Sequence, residues 1–433
     1  MAHIRKAEVS SPITTLGGES TSRLMPVFGI VGLVCLGAGF ALAGGNISRF
    51  SHAYLLNFCF FLTMTLGCLF FVMIQHLTKA GWSVTVRRVA EVLACGIFPL
   101  GLLFIPILVL VFSGNDGLYP WVQDELAEGY TAPEWAVGDK RILDIKATFL
   151  NKFWFCIRAV FYFAVWSFIA FRLYRWSTKQ DETGDKQLSL KAQAFCAPLM
   201  LAFVLCLAFA AFDFEMSLAP MWFSTMFPVY FFAGSVMSSL ALITLVCLLL
   251  QRSGRCTDEI TVEHYHDLAK LTFAFIFFWG YIGFSQFMLI WYANFPEETF
   301  WFQFRSESGW LSVSMILLFG HLFIPFLGMM ARTVRRSKTF LMFSSVYLLV
   351  MHWVDHYWIV MPQYGASVFH GYLRDGKDIE TNMVNVLPGL TEILLLVGMG
   401  AIFLASFCLV AGNRSLVPLK DPRLHEALNY DNP

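Results

Sequence analysis

Residues 266–301 read HDLAKLTFAFIFFWGYIGFSQFMLIWYANFPEETFW. The stretch opens on His266, Asp267 and Lys270, runs through about two dozen mostly apolar residues, and closes on Asn294, Pro296, Glu297 and Glu298. That length matches the ~20 residues a helix needs to cross a hydrocarbon layer of about 30 Å. The span also carries Tyr281, Ser285, Gln286 and Tyr292 in its second half. Tyr281, Ser285 and Tyr292 recur at helical spacing and share one face. Lipid offers such groups no partners, so that face is expected to look into protein or water. The plainer reading of any one of them is a hydroxyl bonded locally in a packed helix.

The rest of the chain has the same character. Of its 433 residues 57% are hydrophobic and 14% charged, against about 25% charged in ordinary soluble domains. Mean hydropathy is +0.62. The formal charge is zero, so there is no basic footprint for a nucleic acid. Ten cysteines are scattered, most of them inside apolar stretches (Cys35, Cys59, Cys68, Cys95, Cys156, Cys196, Cys206), and none forms a C-x-x-C pair. They read as small buried hydrophobes rather than zinc or c-type haem ligands. The polar segment 1–24, with Pro12, Gly17 and Gly18, shows no cleavable signal peptide and is expected to be a disordered or partner-bound cytoplasmic arm.

Ten spans are expected, near 25–45, 54–77, 92–112, 149–173, 194–213, 227–250, 268–293, 309–331, 339–361 and 389–411. With the N-terminus in the cytoplasm, the inside segments hold 21 of the 30 Lys and Arg, Lys79, Arg87, Arg88, Arg335 and Arg336 among them. The outside segments hold 8, and Arg158 lies within a span. This asymmetry puts both termini, including the tail 412–433, in the cytoplasm. The long loop 113–148 then lies outside, where its Gly, Pro, Trp and acidic residues suit a periplasmic partner. A faint duplication relates AFDFEMSLAPMW (211–222) to WVDHYWIVMPQY (353–364), aligning Asp213 with Asp355, Pro220 with Pro362 and Trp222 with Tyr364. The two copies are four spans apart and so share one topology. The expected fold is an all-α integral membrane protein. Two parallel four-helix bundles (54–213 and 227–361) would be flanked by peripheral helices 25–45 and 389–411.

Ionisable groups inside spans are the strongest functional pointers. His352, Asp355 and His356 sit at i, i+3, i+4 on one side of the ninth span. Asp355 is six residues from its outer end, roughly 9 Å deep at the helical rise, and His321 in the eighth span lies roughly 18 Å from the outer end. Arg158, Asp213 and Glu392 sit in the fourth, fifth and tenth spans, and Gln286 in the seventh. Gln75, His76, His264 and His266 mark the inner side. Three readings fit this set. A quinol pocket needs a carboxylate or imidazole to accept phenolic protons as electrons leave. A proton path would relay protons between the outer cluster and the inner histidines. A structural reading pairs Arg158 with Asp213 and sets His352 in Asp355's neighbourhood, since buried charges must be paired or neutral. Haem ligation by His321 with His352 or His356 ranks below all three.

Three stretches together carry a family resemblance: residues 266–299, FDFEMSLAPMWFSTMFPVYFFAG (212–234) and VDHYWIVMPQY (354–364). The chain resembles, over nearly its whole length, the polysulfide-reductase membrane-subunit (NrfD-like) family. Within it, the likeness is to the second quinone-binding-type membrane subunit of bacterial alternative complex III, a quinol:cytochrome c oxidoreductase. The resemblance implies the same pair of four-helix bundles and a multi-pass subunit of the bacterial cytoplasmic membrane. It implies no haem and no covalently bound cofactor, with quinol or menaquinol and lipids as the small molecules met. The implied partners are a homologous membrane subunit, periplasmic iron–sulfur and multihaem cytochrome c subunits, and a terminal oxidase. Related chains carry a Trp after the first Asp, an acid before the Pro and a Gly near the later aromatic pair. Here those positions are Phe214, Ala219 and Pro228, which weakens a proton-handling turn at the end of the fifth span. Two other classes stay open: a secondary transporter with parallel repeats, and a purely structural subunit whose homologous sister holds the active quinol site.

Overall fold

The computed structural model describes residues 9, 14–115, 117–122, 145–306, 309–374 and 386–432, without the side chains of 19–20, 296–297 and 365–374. Every regular element among them is helical. The long helices are α1 (Gly18–Leu42), α2 (Ile47–Leu77), α3 (Val84–Phe112, in three short pieces), α4 (Lys152–Thr183) and α5 (Gln187–Phe214). They continue with α6 (Phe227–Arg252), α7 (Val262–Ala293), α8 (Trp310–Gly328), α9 (Lys338–Arg374) and α10 (Leu390–Ala411). Nine of these helices, all but α9, are long and apolar enough to cross a membrane, among the described residues. Helix α9 stands where the ninth span was expected, but His352, Asp355 and His356 interrupt its apolar run.

The helices overrun the expected spans because capped polar turns extend them. Asn46 caps α2 by accepting from the Arg49 N–H at 2.9 Å, and Asn151 caps α4 through the Trp154 N–H at 2.9 Å. Helix α4 stops at Gly184, whose φ of 70° suits glycine. Helix α3 starts eight residues earlier than expected. Arg87 and Arg88 are therefore not loop charges but buried members of its first turns. Arg87 pairs with Glu91 at 3.2 Å and Asp421 at 2.5 Å, and Arg88 with Glu91 at 3.1 Å and Asp181 at 2.7 Å. The described end of the N-terminal arm is likewise held by the chain itself. Arg255 donates to the Thr15 and Leu16 carbonyls at 2.9 Å, and the Leu416 N–H to the Thr14 carbonyl at 2.8 Å. The expectations for residues 1–8 and 10–13, and for most of loop 113–148, fall outside the described residues.

Helix α2 is the axis of the molecule and packs against α3, α5, α6, α9 and α10. Its closest crossing is with α6 at Gly67, where a Cβ would sit 2.0 Å from the Ser235 carbonyl oxygen. Small residues at such crossings let backbones approach, which is how helices associate when hydrocarbon surrounds them. Helices α1 and α10 pair with each other at the edge.

Two prolines shape the helices around the site. Pro362 in α9 cannot donate to the Trp358 carbonyl four residues back, and its ring crowds that turn. Arg305, 1% exposed, supplies the missing donor through Nε, 3.1 Å from the Trp358 oxygen, and its Nη2 adds a bond to the Ile359 oxygen at 2.8 Å. Its guanidinium lies 3.4 Å from the centroid of the Trp301 ring. Pro325 in α8 similarly deprives the His321 carbonyl, and the residues just before it, Leu317–Phe323, form π-helical turns. The Tyr347 hydroxyl donates to the Gly320 carbonyl inside that segment at 2.8 Å.

The polar face of α7 lies on the surface of the chain. Tyr281 and Tyr292 are 57% and 84% exposed, and Ser285 donates to the Ile282 carbonyl at 3.0 Å. In the second half of the helix the inward polar groups are Trp279 and Gln286.

Candidate functional site

Helix α9 brings His352, Asp355 and His356 into the seam between α2, α6 and α7, and each is at most 2% exposed. Two sets of partners meet there. On one side, the Glu215 carboxylate from the turn after α5 lies 2.6 Å from His356 Nδ1. The Thr63 hydroxyl on α2 lies 3.2 Å from His356 Nε2 and 2.9 Å from His352 Nε2. On the other side, the Tyr230 hydroxyl from α6 donates to Asp355 Oδ1, and the Trp279 indole N–H from α7 donates to Oδ2 at 3.1 Å. His321, on the π-helical turns of α8, packs against Trp279 with ring centroids 4.2 Å apart and the rings tilted by 41°.

The protons in this cluster can be counted. The Thr63 hydroxyl has one proton, and it can go to the Cys59 or Phe60 carbonyl at 2.9 and 3.0 Å or to one of the two imidazoles. With the proton on a carbonyl, both imidazoles can donate from Nε2 to the Thr63 oxygen; with the proton turned to His356, that ring accepts at Nε2. In either arrangement one proton lies between His356 Nδ1 and Glu215 Oε1. The pair is imidazolium and carboxylate or imidazole and carboxylic acid in the first arrangement, and a neutral imidazole donating from Nδ1 to the carboxylate in the second. Asp355 has a hydroxyl and an indole as donors, and among the described residues no guanidinium or ammonium group is bonded to it.

Several polar atoms of the cluster have no hydrogen-bond partner among the described residues: His352 Nδ1, Glu215 Oε2 and both ring nitrogens of His321. Buried polar groups normally find partners, and ordered water supplies those the chain does not. The wall at His352 is correspondingly bare. A Cβ on Gly234 would sit 3.2 Å from His352 Cε1, close enough to press on that ring, and 3.6 Å from Trp279 Cδ1, an ordinary contact.

The other expected residues divide into satisfied pairs and outliers. Arg158 and Asp213 do meet. Nε and Nη2 of Arg158 reach the two carboxylate oxygens at 2.9 and 2.7 Å, and the Tyr162 hydroxyl adds a bond at 2.8 Å. That fork geometry neutralises Asp213 and marks it as architectural. Asp355, its counterpart in the duplication, has no such cation. Glu392 lies 3.5 Å from Arg49 near the start of α10, away from the histidines. Gln286 is buried with Oε1 unpartnered, and it has no hydrogen bond to the cluster. His352 lies in the same cluster as Asp355, and its hydrogen bond is to Thr63.

Sequence reasoning missed Glu215, Thr63, Tyr230 and Trp279. Glu215 was visible as the second acid of FDFEM, two residues beyond Asp213, but the duplication drew attention to Asp213 alone. Thr63, Tyr230 and Trp279 carry no charge, and nothing in an apolar helix separates them from ordinary packing residues. No group of three or more His, Cys, Asp or Glu side chains able to hold a metal ion occurs among the described residues. Neither the scan of family models nor the search of curated proteins returned a match for this chain.

Proposed function

We propose that the chain is an integral membrane subunit of an alternative complex III-like assembly that oxidises quinol, and that its part is to anchor the assembly and carry protons through the α9 cluster. The observation that carries the proton role is the Glu215–His356 pair. It holds one mobile proton in a buried setting, linked through Thr63 to His352 and adjoining Asp355. Carboxylates and imidazoles arranged this way transfer protons, and in membranes such groups mark relays and substrate paths. The unpartnered nitrogens of His352 and His321 extend the set across α8.

The wider reading keeps ten crossings, with both termini cytoplasmic and two four-helix bundles, α2–α5 and α6–α9, flanked by α1 and α10. The packing of α2 on α3, α3 on α4, α4 on α5, α6 on α7 and α9, and α1 on α10 supports that grouping. The electron-carrying centres belong to partners: periplasmic iron–sulfur and multihaem cytochrome c subunits. A homologous sister membrane subunit and a terminal oxidase complete the expected neighbourhood. The geometry favours a relay over direct quinol contact in this chain. Both oxygens of Asp355 are engaged by protein donors, and Phe60 packs against His352 with ring centroids 5.7 Å apart.

The test is the intact complex carrying Asp355→Asn or Glu215→Gln, measured for quinol:acceptor turnover and for protons moved per electron. A relay loses proton stoichiometry while the complex assembles and its quinol affinity is unchanged. A changed quinol KM would instead place the quinol here. Unchanged turnover and stoichiometry would reduce the cluster to packing and move the active site to the sister subunit.

A further inference from the structure

A cavity of about 690 Å³ lies between the α1–α10 pair and the flank of α2, α6 and α9. Its lining is apolar almost throughout. Phe60 and Leu349 form its inner wall, while Val31, Leu249, Val397 and Leu404, each 40–51% exposed, frame a side opening. An apolar space of this size does not hold ordered water, which needs two to four polar partners. In a membrane-spanning chain the side opening faces hydrocarbon, so a hydrocarbon chain can enter.

One end of the cavity is polar. Ser253 and Arg255, just past the C-terminus of α6, line it there. Arg255 is locked in place by three bonds, to the carbonyls of Thr15 and Leu16 at 2.9 Å and to Ser253 Oγ at 2.8 Å. A guanidinium has five N–H donors, so two remain unspent. None of these partners is a carboxylate, and Arg255 makes no ion pair among the described residues. The carbonyl ends of α6 lie near this end. An anion here is held by the Arg255 guanidinium rather than by the helix dipole, which opposes it.

We infer that this cavity is a binding site for one anionic glycerophospholipid, with an acyl chain between α1–α10 and α6–α9 and its phosphate on Arg255. The charge selects the headgroup and the apolar walls select the chain. The same chain chemistry could come from a prenylated quinol, whose uncharged head gives Arg255 nothing to pair with. Helices α1 and α10 touch the core chiefly through α2. The lipid therefore fills what would otherwise be a void along their inner face.

The experiment uses the full-length protein purified from membranes in mild detergent and washed until free lipid is gone. The residual lipids are quantified by mass spectrometry, with phospholipids and prenylquinones counted separately. About one phospholipid per chain, enriched in anionic species, is expected. Val246→Trp or Ala401→Phe, which fill the cavity, should lower retention at least several-fold, and Arg255→Gln should abolish the anionic enrichment. In parallel, the unaltered protein in vesicles with spin-labelled phosphatidylglycerol should show an immobilised component that unlabelled phosphatidylglycerol displaces and phosphatidylcholine does not. No retained lipid, a retained prenylquinone in its place, or full retention in a folded cavity-filled variant would overturn the assignment. An absent or non-selective immobilised component would do the same even if the variants fail to fold.

Discussion

Glu215 and His356 are 141 residues apart in sequence, and their side chains meet at 2.6 Å with both buried. The contact joins the turn after α5 to the middle of α9, so one proton position depends on elements from the two halves of the chain. Removing one partner of a buried pair leaves an uncompensated group and costs roughly 3–5 kcal/mol. Glu215→Ala and His356→Ala are each expected to destabilise by about that amount, and the double variant by clearly less than the sum. Thermal unfolding in detergent checks this. Additive effects would mean that the two groups do not share a proton.

Arg158 and Asp213 make a second such pair within one half of the chain, with Asp213 fully buried. Asp213→Ala should lower the yield of folded protein by the equivalent of roughly 3–5 kcal/mol, because a guanidinium is left alone beside lipid. Adding Arg158→Leu should recover much of it. Size-exclusion profiles of the single and double variants settle the matter; a double variant no better than the single contradicts the pairing.

Arg305 stands in for a donor that Pro362 removes. Arg305→Met should destabilise by about 1.5–3 kcal/mol for each charged hydrogen bond lost to the Trp358 and Ile359 carbonyls. In a Pro362→Ala background the residue at 362 can donate to Trp358 again, so the same substitution should cost less. Equal costs in the two backgrounds would separate Arg305 from the proline.

The contact of the C-terminal tail with α3 should be pH-sensitive. Burial disfavours the charge of Asp421, but Arg87 and the Arg423 N–H outweigh it and hold the carboxyl below its ordinary range. A depressed carboxylate contributes stability that is present above its unfolded pKa of about 3.9 and lost as pH falls through the lower folded value. The tail should stay docked at mildly acidic pH and release only below that unfolded value. Hydrogen exchange at Leu424–Leu428 should rise there, and should already be high at neutral pH in Asp421→Asn.

Orientation can be read with two exposed sites in a background of blocked native cysteines. Ser306→Cys, between α7 and α8, should react with an impermeant thiol reagent from the periplasm. Asp185→Cys, between α4 and α5, should react only after the membrane is opened. The reverse pattern would invert the topology.

The helical, membrane-like architecture was legible because runs of some twenty apolar residues have few other fates. The edges were not, because the polar first turns of α3 and last turns of α4 look like loops until Arg87 is seen pairing with Asp421 and Arg88 with Asp181. At the site, the histidines and Asp355 stood out by charge. Their partners did not, since a threonine, a tyrosine or a tryptophan in an apolar helix carries no sign of what it faces. Glu215 lay between these cases: its charge was visible and its reach to α9 was not. Tyr281 and Tyr292 share a face that the spacing did reveal, and the structure sets both on the surface of the chain.

The tail bond between Arg87 and Asp421 has a further meaning when the order of synthesis is considered. The two residues are separated by 334 positions. At about 5–20 residues per second, Arg87 emerges roughly 20–70 s before its carboxylate exists. Glu91, one turn along the same helix at 3.2 Å, is its companion in the interval. A stretch of chain made late is thus the clasp that closes over a helix laid down 334 positions earlier, and a nascent chain cut short before Asp421 would keep that helix yet never fasten it.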